Sequence, residues 1–190
     1  VFVEGPAGSG KSSLLRLMAN LASASAGEVR RASTQRHTGR ARRQSRTCVI
    51  HGQSPVLAGS LRRALALDTH TQPDDERVSA VAIGFGLSDV LQRLGGLDGR
   101  VAESGGNLSR TERARLLLAR AALSDAELVL IDDLDGLIDP TSEAALQAWL
   151  QGTSATVVYV SRDPALYRTA DQIWHLGHGE LRVYPFNAEA

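Results

Sequence analysis

Residues Val1 to Leu15 have the sequence VFVEGPAGSGKSSLL, a short β-branched run followed by a glycine-rich loop and an apolar helix. Gly5, Gly10, Lys11 and Ser12 fit every defined position of the pattern G-x-x-x-x-G-K-[ST], and the strand before and helix after are the context that this pattern requires. Glycines let backbone N–H groups converge on a phosphate, free amides at the helix start add their dipole, and Lys11 adds a full charge. The stretch therefore predicts a phosphate cradle, with Ser12 placed to ligate Mg²⁺. A glycine-rich turn without a ligand is the alternative, and the agreement at all fixed positions disfavours it.

Composition predicts one globular domain with few constraints on its partners. The chain has 190 residues, 43% of them hydrophobic, and a formal net charge of zero, so its overall field gives no reason to expect nucleic acid or an anionic membrane. Lys11 is the only lysine, whereas the other basic residues are all arginine. The single cysteine, Cys48, excludes an internal disulfide, fits a reducing compartment and lies in a predicted buried strand. Because the sequence starts inside a strand without an initiator Met, we expect it to be a segment of a longer polypeptide.

The segment from Arg30 to Arg46 contains seven arginines and no acidic residue. Runs of like charge usually form solvated surface segments, and this one has no interleaved aromatic residues for stacking on bases. We therefore predict a surface segment and no nucleic-acid partner.

Periodicity along the rest of the chain predicts alternating helices and strands, with Gly27-Glu28-Val29 as a turn into a strand and glycines between positions 95 and 106 marking a loop. A strand that ends at Ile50 would deliver Gln53 to a loop at the strand end, and Ser109 would cap a later helix. The pattern predicts a layered α/β fold with a mostly parallel sheet flanked by helices and an inserted helical region. The predicted helices are Ser12–Leu21, Arg110–Leu123, Thr141–Gln151 and two within Pro73–Leu94, the second of which is Ser88–Leu94. The predicted strands are Thr47–Ile50, Leu128–Ile131, Thr156–Val160 and the hairpin of Ile173–Leu176 with Leu181–Tyr184.

The order of these motifs resembles the nucleotide-binding domain of ABC transporters, and most of all the exporter-type domains that are fused to a membrane domain. Gly5 to Ser12 resembles the Walker A loop, His51 to Leu57 the Q-loop, and Ala102 to Ser109 the stretch that leads into the family signature. Leu128 to Asp132 resembles Walker B, and Leu134 to Asp139 takes the place of the D-loop, which contacts a partner domain. The resemblance implies a P-loop NTPase fold over residues 1–190 as a single ATP-binding domain. It also implies a helical subdomain at about 65–125 that carries the signature. The first strands of the family domain, with their adenine-stacking aromatic residue, would be missing.

The resemblance also implies ATP and Mg²⁺ as cofactors. Metal contacts would come from Ser12, Gln53 and Asp132, and groups at the reacting phosphate from Asp133, Gln53 and Ser161. The partners would be a second ABC domain, identical or not, and a transmembrane permease domain, which can be fused N-terminally. The site of action would be the cytoplasmic face of a membrane. The residues expected to contact nucleotide are Gly5, Pro6, Ala7, Gly8, Ser9, Gly10, Lys11, Ser12, Ser13 and Ser109.

Three positions depart from the family pattern. The signature Leu-Ser-Gly-Gly-Gln is replaced by the sequence LSRTE at 108–112, so the glycines that let the backbone approach a partner's γ-phosphate are gone. Asp133 stands where the family has a catalytic Glu, and a base displaced by about 1 Å can cost about 10²-fold in rate. Ser161 stands where the family has its switch His. For Asp133, a weak base and a merely polar loop residue remain equal alternatives, and for Ser161 a turn cap competes with a γ-phosphate contact.

Three functions remain open from the sequence. The first is an ATPase subunit that couples ATP binding and slow hydrolysis to membrane transport. The second is a regulatory half that holds ATP with little turnover and pairs with an intact partner. The third, a P-loop kinase or soluble NTPase, would explain neither Gln53 nor the Asn107-Leu108-Ser109 context.

Overall fold

The computed structural model describes residues 1–30, 46–67, 69, 73–132, 134, 136–162 and 164–186, and these form two compact units. The first unit comprises Val1–Val49, Ala126–Asp133 and Ser154–Ala190, and the second comprises Ile50–Asp125 and Leu134–Thr153. Most of the arginine-rich segment, at 31–45, lies outside the described residues. Within the part of the chain that is described, no helix has the length and apolar character needed to cross a bilayer.

The elements follow one another in an alternating order. The strands are β1 (Phe2–Glu4), β2 (Thr47–His51), β3 (Gly59–Ser60), β4 (Arg100–Val101), β5 (Leu128–Asp132), β6 (Thr156–Val160), β7 (Gln172–Gly177) and β8 (Glu180–Pro185). The α-helices are α1 (Lys11–Met18), α2 (Leu61–Leu65), α3 (Asp75–Gly84), α4 (Ser88–Leu94), α5 (Arg110–Leu123), α6 (Pro140–Gly152) and α7 (Pro164–Tyr167).

A six-stranded sheet dominates the first unit, with strand order β2-β5-β6-β1-β7-β8. Strand β1 pairs in parallel with β6 and β7, and β5 pairs in parallel with β6, whereas the β7–β8 hairpin is antiparallel. In the register, Val160 lies opposite both Val3 and Asp132. The carboxyl ends of β1, β5 and β6 therefore meet at one sheet edge, where ligands bind in open α/β sheets.

Helix α1 packs on this sheet through an apolar core. Leu15, at 1% exposure, joins side chains of β1, β5 and β6 that are 0–7% exposed: Val3, Leu130, Val158 and Val160. Burial on both faces explains why the strands are continuous apolar runs rather than alternating ones. This packing fixes the start of α1 at the carboxyl edge of the sheet.

The second unit is helical and is built around α5. The α5 side chains Leu116, Leu118 and Ala119 are fully buried, and α5 packs against α2, α3 and α6. The guanidinium of buried Arg120 donates from Nε to the Ala64 carbonyl at 2.8 Å and from Nη1 to the Pro55 carbonyl at 3.2 Å, and these bonds offset part of the cost of burying a charged group. The small antiparallel pair β3–β4 completes this unit.

Most element predictions from the sequence are confirmed. The bounds of α4, α5 and β6 agree with the predicted ones, and Cys48 is buried as expected. The α1 helix ends at Met18 instead of Leu21, because Asn20 takes a left-handed conformation at φ 58° that ends helices.

Two local predictions differ from the structure. The strand expected after Gly27 does not include Glu28, Val29 or Arg30, which are exposed, and the Glu28 carboxylate accepts from Arg30 Nε at 2.8 Å; any continuation of that prediction beyond Arg30 lies outside the described residues. The glycine-rich loop at 95–106 contains β4, and α2 was not predicted at all. Elements of two to five residues are too short to carry a periodic signal.

Candidate functional site

The loop from Gly5 to Gly10 has a backbone path that only glycine tolerates at two points. Gly5 adopts φ 144°, and a Cβ built there would lie 2.1 Å from the Leu176 carbonyl oxygen. Gly10 adopts φ 99° and serves as the N-cap residue of α1. The turn therefore depends on glycine for both its dihedral angles and its packing against β7.

Lys11 bends back over this loop. Its Nζ donates to the carbonyl oxygens of Gly5 and Pro6, at 2.8 Å each. An ammonium group has three hydrogens, so one donor remains after these two bonds. The loop thus holds a localised positive charge in a fixed place, ready to pair with an anion.

The start of α1 is open to an anion. Its N-cap Gly10 provides no side-chain hydrogen bond, and its first turn contains no acidic residue. The first amides of a helix have no partner within it and carry the positive end of the helix dipole. In addition, the buried Ser9 Oγ has no hydrogen-bond partner among the described residues. These features fit a bound phosphate, which would satisfy several donors at once.

Ser12 and Asp132 form the second part of the cradle. Ser12 Oγ donates to Asp132 Oδ1 at 3.1 Å, although the two residues are 120 positions apart in sequence. A hydroxyl and a carboxylate are hard oxygen ligands suited to Mg²⁺, which commonly binds through one or two protein groups plus phosphates and water. The described residues contain no cluster of three or more His, Cys, Asp or Glu side chains that could hold a metal alone. A bound Mg²⁺ would therefore need nucleotide oxygens as further ligands.

Ser161 directly follows β6, one residue after the register partner of Asp132, and only 8% of its surface is exposed. It thus lies at the sheet edge that carries the cradle, as the sequence predicted for its position. Asp133, the other predicted group at the reacting phosphate, lies outside the described residues.

The second unit holds the remaining predicted residues, Gln53 and Ser109. Gln53 is exposed in the loop after β2, where its backbone N–H donates to His51 Nδ1 at 3.2 Å. It lines a groove of about 370 Å³ whose lining combines apolar residues with two arginines. The other residues around that groove are Gly52, Arg110, Arg113, Ala114, Leu117, Leu134 and Leu137.

Ser109 caps α5 in a reciprocal arrangement with Glu112. Glu112 N donates to Ser109 Oγ at 3.2 Å, and Ser109 N donates to Glu112 Oε2 at 2.8 Å. This is a capping box, which the spacing Ser-x-x-Glu indicates in sequence. The N-cap prediction for Ser109 is confirmed, whereas its contact with nucleotide stays a prediction.

A second polar cluster, which was not predicted from the sequence, joins three segments of the helical unit. Arg115 of α5 donates from Nη1 to the Gly86 carbonyl and from Nη2 to Asp139, the N-cap residue of α6. Asp139 Oδ1 also accepts from Ser142 N at 2.9 Å and Ser142 Oγ at 2.7 Å. Burial alone would raise the pKa of Asp139, but the Ser142 hydrogen bonds and Arg115 lower it to about 2. In the sequence, only the cap that Asp139 forms on α6 could be recognised. Its contact with Arg115 could not, because the two residues are 24 positions apart.

A parallel sheet that places a glycine loop, an uncapped helix and a Ser–Asp pair at its carboxyl edge defines a P-loop NTPase. The model of the family described as "ABC transporter" matches residues 1–135. The chain therefore belongs to the ABC transporter family.

Curated relatives agree with this assignment. The chain is 38% identical to "ABC transporter ATP-binding protein RamB" of Streptomyces coelicolor over 161 residues, which cover 84% of the chain and 26% of that protein. It is 31% identical to human "Antigen peptide transporter 2" over 94% of the chain and 26% of that protein. It is 32% identical to the Mycobacterium tuberculosis "Mycobactin import ATP-binding/permease protein IrtB" over 94% of the chain and 31% of that protein. The chain thus spans about a quarter to a third of the length of these relatives.

Proposed function

We propose that the chain is the MgATP-binding domain of an ABC transporter and couples ATP binding, with slow hydrolysis, to transport across a membrane. The observation that carries the proposal is the 3.1 Å hydrogen bond between Ser12 and Asp132, which joins the phosphate loop to the end of β5. A serine hydroxyl and a carboxylate at this distance are suited to sharing one hydrated divalent ion. Family membership supplies the context in which such a site serves transport.

Each group of the cradle has a distinct role in this proposal. The backbone amides at the start of α1 bind the phosphates, and Lys11 neutralises their charge. Ser12 and Asp132 would hold Mg²⁺. Bound Mg²⁺ supplies charge stabilisation on the phosphate oxygens. Gln53 would complete the metal shell and orient the attacking water, and Asp133 would accept its proton.

The proposed assembly contains a second ABC domain and a permease domain. The name of the IrtB relative joins "ATP-binding" and "permease" in one protein, which supports a permease fused to this domain. In that assembly the chain acts at the cytoplasmic face of the membrane. Its helical subdomain, at about 65–125, presents the signature to the partner domain. No nucleic-acid partner is proposed.

A second candidate is a regulatory half that binds ATP with little turnover and relies on an intact partner. The observation that favours it is the sequence LSRTE at 108–112, which begins α5 without the two glycines of the family signature. Steady-state hydrolysis, measured beside MgATP affinity, separates the candidates. Tight binding with turnover near background supports the regulatory half, and sustained turnover by the chain alone supports the ATPase.

The metal assignment is tested by comparing Asp132→Asn with Asp133→Asn. We expect Asp132→Asn to weaken Mg²⁺-dependent ATP binding by about tenfold, because it removes charge from a metal ligand. Asp133→Asn should change binding less, because a base acts on the nucleophile rather than on the ion. A Mg²⁺ titration of nucleotide binding measures both effects. The reverse order would assign the metal ligand to Asp133 instead of Asp132.

The catalytic departures are tested by the double substitution Asp133→Glu with Ser161→His. We expect it to raise kcat with little change in KM, because both groups act mainly on charge that develops in the transition state. Single-turnover hydrolysis in the presence of a partner domain with an intact signature is the measurement. A rate equal to that of the parent would exclude both positions from the γ-phosphate.

A further inference from the structure

Two arginines of α5 carry positive charge that nothing in the described part of the chain neutralises. Arg110 and Arg113 are three positions apart, a spacing that places side chains next to each other on a helix surface. Neither guanidinium makes an ion pair or a hydrogen bond with a described residue. Glu112, the acid between them in sequence, is paired with Arg93 instead, whose Nη2 lies 2.8 Å from Glu112 Oε1. The two charges are therefore available to an external anion.

Both arginines line the groove of about 370 Å³ that also contains Gln53. The Gln53 side chain is exposed, and its amide makes no hydrogen bond to a described residue. A guanidinium carries five N–H donors and an amide carries two, so the groove is rich in donors. None of its described lining residues is acidic. This donor set is complementary to a multiply charged oxyanion.

The rest of the groove is apolar. Ala114 and Leu117 continue the face of α5 on which the arginines lie, and Leu134 and Leu137 come from the segment after β5. Leu117 and Leu134 are only 3% and 2% exposed, so this wall is continuous with the core of the helical unit. Small-molecule sites combine an apolar lining with a few polar groups, at volumes from about 300 Å³. An inorganic ion would leave the apolar wall uncovered, whereas an anion with a small apolar group would cover it.

We propose that this groove binds a small monophosphate ester. Its phosphate pairs with Arg110 and Arg113 and accepts from the Gln53 amide, and its apolar group packs on the leucines. A phosphate matches this site better than a carboxylate does, because its two charges balance two guanidiniums whose planar forks suit phosphate oxygens. The inference does not depend on the proposed function, since every lining residue belongs to the second unit and the phosphate loop belongs to the first.

The test is a calorimetric titration with phenyl phosphate. It uses the full chain with Lys11→Ala, so that the charge of the phosphate loop does not contribute. We expect Arg110→Gln and Arg113→Gln, each added to that chain, to weaken binding about tenfold, the effect of one charge-assisted hydrogen bond. The matched control is Arg77→Gln, which removes the same charge from an exposed position of α3 outside the groove and should leave the affinity unchanged.

The apolar part of the site is tested with a second probe. We expect inorganic phosphate to bind about tenfold more weakly than phenyl phosphate, because it cannot cover the leucines. Leu137→Ala should weaken phenyl phosphate binding about threefold and leave inorganic phosphate binding unchanged, in samples whose melting shows a folded chain. A general disturbance of the fold would affect both probes alike.

Several results would overturn this inference. They are no binding of phenyl phosphate by the folded Lys11→Ala chain, undiminished binding after either arginine substitution, and an equal loss after Arg77→Gln. Equal affinities for phenyl phosphate and inorganic phosphate would also overturn it, because the groove would then recognise charge alone. None of these results concerns MgATP binding, which is measured separately and decides the proposed function.

Discussion

Two helix starts in this chain face the same physical problem and solve it in opposite ways. Helix α1 begins at Gly10, without a side-chain cap and without an acidic residue in its first turn. Helix α5 begins at Ser109 with both bonds of a capping box and an acidic third residue, Glu112. Among α1 to α6, α1 alone lacks both a side-chain cap and a first-turn acid.

The difference shows how a sequence distinguishes a binding site from a structural helix end. Capping typically stabilises a helix by about 1 kcal/mol, so a helix without a cap is less stable by about that amount in the free protein. A bound phosphate can recover that energy by using the same amides. The open start of α1 therefore indicates a ligand, whereas the closed start of α5 stabilises the helix by itself.

The strongest test of the open start removes its charge. We expect Lys11→Ala to weaken MgATP binding by about 100-fold, because the ammonium makes a charge-assisted bond to phosphate that no other lysine can replace. Arg16→Ala, at the exposed last turn of the same helix, removes the same charge as a control and should leave affinity unchanged. Calorimetric titration measures both. Equal affinities for the Lys11 variant and the parent would disprove the phosphate cradle.

A second test places an acidic residue in the first turn of α1, at the position that Glu112 takes in α5. Ser13 is the third residue of α1, as Glu112 is the third of α5, and it is exposed. We expect Ser13→Glu to weaken MgATP binding by about tenfold, because its carboxylate would compete with phosphate for the helix start. Ser13→Gln adds similar bulk without charge and should cause a smaller loss. Indistinguishable affinities for the two variants would mean that bulk, not charge, governs the site.

A smaller effect is expected at a third helix start, that of α6. The pKa of Asp139 is about 2 in the folded chain against 3.8 as its ordinary value, so its stabilisation is present above about pH 4 and is lost as the pH falls towards 2. With partial solvent screening we expect on the order of 1 kcal/mol at neutral pH, and Asp139→Asn should remove that pH dependence. Urea unfolding between pH 7 and pH 3 is the measurement, with the exposed Asp89→Asn as the control. Parallel pH curves for parent and Asp139→Asn would contradict the assigned cap.

Much of the candidate site could be predicted because its parts are local. The glycine pattern, the helix that follows it and the Ser-x-x-Glu box each depend on residues within about four positions of one another. The same holds for long apolar strands such as β6. The short strands β3 and β4 were not predicted, because two residues cannot display a period and the two strands, which pair with each other, lie about 40 residues apart in sequence.

By itself, therefore, the sequence determined where the phosphate loop forms, that the start of α1 is uncapped and that the start of α5 is capped. The reason is that backbone dihedral preferences and first-turn hydrogen bonds are set by residues that are near one another in sequence. Only the tertiary structure decided that Asp132 meets Ser12, that Arg93 holds Glu112 and that Arg115 joins Gly86 to Asp139. Those contacts follow from strand order and helix packing. A carboxylate distant in sequence reaches its partner only after the sheet and the helices have buried their apolar faces.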